Sequence, residues 1–97
     1  MSIAAKEALN KIKTGNEKYV RDNEHVGTDK KIRESLITGQ DPYAIVLSCA
    51  DSRVVPESIF DANAGELFVL RVAGNIANTS TIASIEYAVA HLGTKLI

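Results

Sequence analysis

The spacing of apolar residues predicts two helices in the first forty residues. Over residues 3–20 apolar side chains recur at helical intervals between charged ones, with Ser2 placed as the N-cap. Gly15 lies inside this helix and is expected to weaken it locally. A second, shorter helix is predicted over residues 29–38, where Gly39 supplies a C-terminal stop.

Two more helices are predicted in the second half of the chain. Pro56 suits the first turn of a helix that continues across residues 57–61. Residues 81–92 carry apolar side chains on one helical face, and Gly93 ends that pattern.

Three short apolar runs, which do not alternate, predict strands buried on both faces. They cover residues 43–49, 66–71 and 94–97 and alternate with the predicted helices. This order is typical of an α/β fold with a parallel β-sheet flanked by helices. We therefore expect a single, partial domain with an N-terminal helical arm at residues 1–38 and the first part of the α/β core at residues 42–97. Because the sequence ends inside the third apolar run, we expect the sheet to be incomplete.

Composition and charge limit the kinds of partner and the cellular location that we expect for the chain. The chain has 97 residues, 11 basic and 12 acidic, with a formal net charge of −1, which gives no electrostatic reason to expect nucleic acid or an anionic membrane. No apolar run is long enough for a transmembrane helix or a secretory signal, so we expect a cytoplasmic protein. The single cysteine, Cys49, agrees with that location because it cannot form an internal disulfide.

Chemically active side chains gather where the first two strands end. Cys49, Asp51 and Arg53 follow the first strand within five residues, and Arg71 ends the second, followed by a glycine-containing loop. Ligands of open α/β sheets bind beyond the carboxyl ends of the strands, and adjacent parallel strands would bring the two turns together. His91, near a helix end, is a much weaker candidate for a ligand.

Three interpretations of the first turn stay open at this point. Cys49 could be a zinc ligand, with Asp51 as a second ligand or as an outer-shell acceptor. Alternatively, Cys49 could be a nucleophilic thiol activated by Arg53. Finally, Asp51 and Arg53 could form an ion pair that only fixes the turn. His25, in a polar segment, is expected to be a solvated side chain.

Four motifs in register resemble the β-class carbonic anhydrases. They are SCADSRV at residues 48–54, PESIFD at 56–61, GELFVLRVAGNI at 65–76 and SIEYAV at 84–89. One such motif alone would be a weak signal, whereas four in the expected order are specific. Val72 departs from the asparagine often found at that position in the family.

The resemblance implies a zinc enzyme, a lyase that reversibly hydrates carbon dioxide to bicarbonate. It assigns Cys49 as a zinc ligand, Asp51 as a catalytic residue that can also reach the zinc, and Arg53 as the catalytic partner of Asp51. It also implies a set of residues that bind substrate or line its pocket, often at a dimer interface: Gln40, Phe68, Ala73, Gly74 and Tyr87.

The resemblance also shows what this sequence lacks. The family holds zinc with two cysteines and a histidine, and the His-x-x-Cys that supplies two of them is absent from the 97 residues. We therefore expect the isolated chain to be inactive and to assemble as a homo-oligomer, a dimer or larger, or with a C-terminal partner chain. The first helix is expected to pack across a dimer. A shortened, non-catalytic paralogue acting as an assembly or regulatory module remains an alternative, as does a thiol enzyme using Cys49.

Overall fold

The computed structural model describes residues 2–22 and 27–97, so the prediction for His25 lies outside the described residues. Six elements follow one another along the chain. They are α1 (Ala5–Asp22), α2 (Lys30–Ser35), β1 (Ala44–Ser48), α3 (Pro56–Ile59), β2 (Leu67–Arg71) and α4 (Thr79–Leu92). The predicted α/β class, with a parallel sheet flanked by helices, is confirmed.

The strands β1 and β2 pair in parallel, with a register that runs from Ala44 opposite Leu67 to Ser48 opposite Arg71. Successive side chains of a strand point to opposite faces, so each strand contributes to two clusters. The register also aligns the carboxyl ends of both strands, which brings the loops after them to one edge of the sheet.

Each face of the sheet is covered by a helix. On the face of α1 the buried cluster comprises Ala8, Tyr43, Ala44, Ala62 and Leu67. On the face of α4 it comprises Ile45, Leu70 and Ala88. Burial on both faces explains why the strands are apolar up to their last residues, Ser48 and Arg71.

The third predicted strand does not form. Residues 94–97 form no ladder with β1, although they lie along the edge of β1 that faces away from β2. One bond joins them to that edge, from the Ile45 N–H to the carbonyl of Leu96 over 2.8 Å. A parallel ladder needs bonds to successive residues, and this single bond does not make one.

The expectation that the first helix packs across a dimer stays a prediction, but its start differs from the prediction. The helix packs on its own chain, with Ala8 completely buried against the sheet. It begins at Ala5, and Ser2 is not its N-cap. The Ser2 hydroxyl instead donates to the carbonyl of Pro42 over 3.0 Å, which ties the start of the chain to the segment before β1.

The other helices follow their predictions with shifted ends. Helix α2 has 6 residues and is capped by the Asp29 side chain, which accepts from the N–H of Ile32. Helix α4 begins two residues earlier than predicted because Asn78 and Thr81 form a capping box. Gly93 ends α4 in a left-handed conformation, φ 71°, as its position in the sequence indicated.

A buried carbonyl provides a first prediction on stability. The Pro42 oxygen accepts from the hydroxyls of Ser2, at 3.0 Å, and Thr94, at 2.9 Å, and both donor residues are buried. We expect Thr94→Val, which keeps the volume and removes the donor, to reduce the free energy of unfolding by about 1–2 kcal/mol. Adding Ser2→Ala should cost more than the sum of the single changes, because the carbonyl then loses both donors.

Urea unfolding of the two single variants and the double variant measures this coupling. Strictly additive changes in the free energy of unfolding would contradict the shared-carbonyl interpretation. Ser84→Ala is a suitable control, since that hydroxyl donates to a carbonyl of its own helix, that of Ser80, and the residue is only partly buried.

Among the residues that the structure describes, no helix is both long enough and apolar enough to span a bilayer.

Candidate functional site

The Cys49 thiol lies immediately after β1 and is surrounded by backbone donors. The N–H of Gly74, in the loop after β2, donates to the sulfur and lowers the pKa of the thiol below its ordinary value. The N–H groups of Asp51 and Ala50 shift the pKa in the same direction. Partial burial and the negative charge of Asp51 oppose them without reversing the shift. The site thus favours the thiolate, the form that binds metals and acts as a nucleophile.

Asp51 and Arg53 form a two-pronged ion pair. The Arg53 Nε lies 3.0 Å from Oδ1 of Asp51, and its Nη2 lies 2.7 Å from Oδ2. The backbone N–H of Arg53 also donates to Oδ1, over 2.9 Å, so the carboxylate closes the turn on itself. Hydrogen bonds from Arg53 are the main reason that the pKa of Asp51 is lowered and that the carboxylate stays ionised.

This pairing bears on the interpretation of Cys49 as a thiol activated by Arg53. The Arg53 guanidinium is directed to Asp51, and its side chain is 85% exposed. The groups that lower the pKa of Cys49 are backbone N–H groups. Arg53 therefore acts on the carboxylate, and the peptide backbone acts on the thiol.

The loop after β2 supplies the donor that reaches Cys49. Gly74 has φ +81° and Asn75 has φ +57°, both in the left-handed region, which is costly for most residues other than glycine and asparagine. The turn is closed by the Asn75 N–H, which donates to the carbonyl of Val72 over 2.9 Å. This loop carries the Gly74 N–H that is the main cause of the lowered pKa of Cys49. Ala73, which precedes it, is exposed.

Phe68 and Tyr87 are brought together, as expected for residues that line one pocket. Their ring centroids lie 6.1 Å apart, and the Tyr87 ring lies 5.2 Å from the ring of His91. Tyr87 is 49% exposed, so these rings form an open surface on the α4 face of the sheet. The roles of Phe68, Ala73, Gly74 and Tyr87 towards substrate stay predictions.

Gln40 lies away from these groups. It precedes β1, beside Leu36 and Gly65, whereas Cys49 follows the other end of that strand. The five residues of β1 span about 16 Å at 3.3 Å per residue. Within one chain the structure therefore does not bring Gln40 to the Cys49 turn.

Sequence reasoning missed the role of Arg71. Its side chain reaches from the end of β2 across the end of β1, and its Nε donates to the carbonyl of Cys49 over 2.8 Å. The sequence did indicate that Arg71 is the last residue of a strand, and that this strand ends beside the turn that carries Cys49. The identity of its partners could come only from the register.

A catalytic zinc ion needs three protein ligands. Cys49 and Asp51 supply two suitable groups, but Arg53 already engages both oxygens of the Asp51 carboxylate. Across residues 2–22 and 27–97, no group of three or more His, Cys, Asp or Glu side chains could hold a metal ion. The described residues do not fit a complete zinc site, and they offer Cys49 as one ligand of such a site.

The backbone donors around Cys49 predict that its thiol is alkylated at lower pH in the folded chain than in the unfolded chain. We expect the rate of reaction with iodoacetamide to rise with pH at a lower midpoint in the folded chain than in the same chain in urea. The physical reason is the set of N–H donors, led by Gly74, that stabilises the thiolate only when the chain is folded. Mass spectrometry of the alkylated fraction measures the profile, and a folded midpoint equal to or above the unfolded one would contradict it.

Comparisons with known proteins agree with the family resemblance of the four sequence motifs. The family model described as carbonic anhydrase matches residues 44–97. A curated relative, carbonic anhydrase 2 of Mycobacterium tuberculosis, is 43% identical over 96 residues, covering 98% of this chain and 45% of the relative. The chain thus spans less than half the length of this relative.

Solved structures give the same result for the fold. A Coccomyxa β-carbonic anhydrase, solved in complex with acetazolamide, aligns over 93% of this chain and 38% of its own, with a TM-score of 0.63 and 30% identity. Tetrameric β-carbonic anhydrases from Sordaria macrospora include one that aligns over 92% of this chain and 43% of its own, with a TM-score of 0.62 and 31% identity.

Proposed function

Since the chain belongs to the β class of the carbonic anhydrase family, we propose that it carries part of the active site of an enzyme that interconverts carbon dioxide and bicarbonate. The observation that carries the proposal is that the Cys49 thiol and the Asp51–Arg53 pair share the turn after β1, which lies beside the loop after the parallel strand β2. The reaction would be a lyase reaction, as implied by the family.

We assign each residue a task that its contacts support. Cys49, favoured as a thiolate, would be one ligand of zinc, with the others supplied by a His-x-x-Cys segment that the 97 residues lack. The Asp51 carboxylate, kept ionised by Arg53, would accept a hydrogen bond from the attacking water or hydroxide and so orient it. Arg53 would hold that carboxylate in one rotamer through its two-pronged contact.

We further propose that the working form is an oligomer. Gln40 lies at the sheet edge opposite to Cys49, so it could contact a Cys49 turn only in another copy of the chain. The tetrameric β-carbonic anhydrases from Sordaria macrospora provide a precedent for such an assembly. Sedimentation equilibrium checks this expectation, and a folded 10.4 kDa species that persists at high concentration would contradict it.

The cytoplasmic location also remains a proposal. It rests on the single cysteine of the 97 residues, which cannot form an internal disulfide. Fractionation of cells expressing the native gene would test it, and recovery of the protein with the periplasmic or membrane fraction would contradict it.

The activity is tested by completing the site. We would fuse this chain to the portion of the M. tuberculosis relative that follows the matched region, and measure hydration of carbon dioxide by stopped flow with added zinc. The fusion should be active, the 97-residue chain alone should not exceed buffer, and Cys49→Ser in the fusion should abolish turnover.

Two outcomes would contradict the proposal in different ways. A folded, zinc-loaded fusion without activity would favour the alternative of a non-catalytic assembly module. An active fusion that tolerates Cys49→Ser would remove Cys49 from the ligand set. Ser52→Ala is a matched control, because it alters the same turn at an exposed residue outside the assigned set.

A further inference from the structure

Arg71 connects the two loops that form the candidate site. As the last residue of β2 it pairs in register with Ser48, so its side chain extends over the turn that begins at Cys49. Its Nε donates to the carbonyl of Cys49 over 2.8 Å, and its Nη2 donates to the carbonyl of Val54 over 3.0 Å and to that of Asp51. One guanidinium thus binds three carbonyls of a single turn.

This connection begins where the sheet ladder ends. The Val72 N–H donates to the carbonyl of Ser48 over 2.9 Å, beside the last register pair of β1 and β2. The next residues of the first loop carry the thiol and the carboxylate. The Arg71 guanidinium continues the link between the two chain segments beyond the ladder, through charge-assisted hydrogen bonds in place of strand pairing.

The chemistry of this link requires the guanidinium shape. Its donors lie in one plane and diverge, so Nε and Nη2 can serve carbonyls at different places along the turn. A lysine ammonium has its donors on one atom at the end of a flexible stem and cannot span the same acceptors. Arg71 is exposed, so these bonds should add little to the global free energy of unfolding, and their main effect is to keep the turn closed locally.

We propose that Arg71 is a positioning residue, which holds the Cys49–Val54 turn against the end of β2 and the loop that follows it. The proposal rests on the proposed function only in treating this turn as catalytic. The geometric part concerns the chain itself, without zinc or substrate.

Amide hydrogen exchange followed by NMR tests the geometric part. We expect Arg71→Met to lower the protection of the Gly74 amide, and of the Val54 amide that bonds to the carbonyl of Asp51, by at least about tenfold, since local opening becomes easier. The Ala88 amide, in the buried part of α4, reports on the rest of the fold and should keep its protection. Unchanged protection at Gly74 and Val54 would overturn the proposal.

Two further variants make the result specific. Arg33→Met removes another exposed arginine that donates to a backbone carbonyl, that of Thr28, and should leave the Gly74 amide as in the parent chain. Arg71→Lys keeps the charge and the stem, so it remains informative if the methionine variant does not fold. It should recover less than half of the lost protection, and full recovery would overturn the role of the guanidinium.

Failure here is distinguishable from failure of the proposed function. The exchange measurement needs neither zinc nor turnover, so it can support or refute the role of Arg71 whatever the activity of the fusion. In an active fusion, positioning predicts that Arg71→Lys lowers kcat more than it changes KM, because the thiolate and carboxylate are displaced while the substrate pocket is kept.

Discussion

Replacing Gly15 by alanine is expected to destabilise the chain by about 3 kcal/mol, even though alanine favours a helix interior by about 1 kcal/mol. Helix α1 crosses α3 at this glycine. A Cβ built there lies 1.8 Å from the carbonyl oxygen of Phe60 and 2.6 Å from its carbonyl carbon. Backbone atoms cannot turn away as a side chain can, so α1 would have to move off α3. That shift would also stretch the bond from Asn16 Nδ2 to the carbonyl of Ile59, now 3.1 Å.

Urea unfolding followed by circular dichroism, at one fixed protomer concentration, measures the effect. Thr14→Ala is the matched control, because it changes an exposed neighbour in the same helix turn and should alter the free energy of unfolding by less than about 0.5 kcal/mol. A Gly15→Ala variant as stable as the parent chain would show that the close approach of α1 to α3 is not a feature of the folded protein.

Replacing Arg53 by alanine should reduce activity far more than stability. In the active fusion we expect carbon dioxide hydration to fall by about 10- to 100-fold, the range found when a residue that orients a catalytic group is lost. The Asp51 carboxylate would lose both side-chain bonds from Arg53, and with them the main cause of its lowered pKa. Because the Arg53 side chain is 85% exposed, water screens the ion pair, which should contribute little to the free energy of unfolding.

Stopped-flow rates and urea unfolding on the same preparations separate the two effects. Arg33→Ala serves as the control for loss of an exposed arginine, and it should leave the rate unchanged. A folded Arg53→Ala variant with the parent rate would contradict the assignment of the Asp51–Arg53 pair to the active site. A large loss of stability would instead indicate that the pair mainly fixes the turn.

Much of the core and of the candidate site follows from local patterns in the sequence. The two central strands were predicted within one or two residues of Ala44–Ser48 and Leu67–Arg71. An uninterrupted apolar run bounded by turn residues is compatible with few structures other than a strand covered on both faces. Parallel pairing then places Cys49 and the loop after β2 at the same sheet edge, so the meeting of these segments could be predicted as well.

The pairing of Asp51 with Arg53 was one of the interpretations that the sequence left open, and their short spacing made it possible. Two residues apart in a turn, a carboxylate and a guanidinium can meet without any help from the rest of the fold, and the structure shows that they do. The predicted substrate-binding residues, which include Gln40, rested on different grounds. Its members were joined by family resemblance alone, and the structure places Gln40 at the other end of the sheet.

Other features could be learned only from the tertiary structure, because they depend on contacts between residues that are distant in the sequence. From the sequence, Gly15 was an unfavourable residue in a helix, but the carbonyl of Phe60 beside it makes glycine necessary there. Ser2 resembled a helix cap, yet its hydroxyl binds the carbonyl of Pro42, 40 residues away. Arg71 was simply the end of a strand until the register placed it over three carbonyls of the neighbouring turn. Local periodicity specifies which face of an element is buried, whereas the atom that meets a given residue depends on the packing of distant segments, which no local pattern contains.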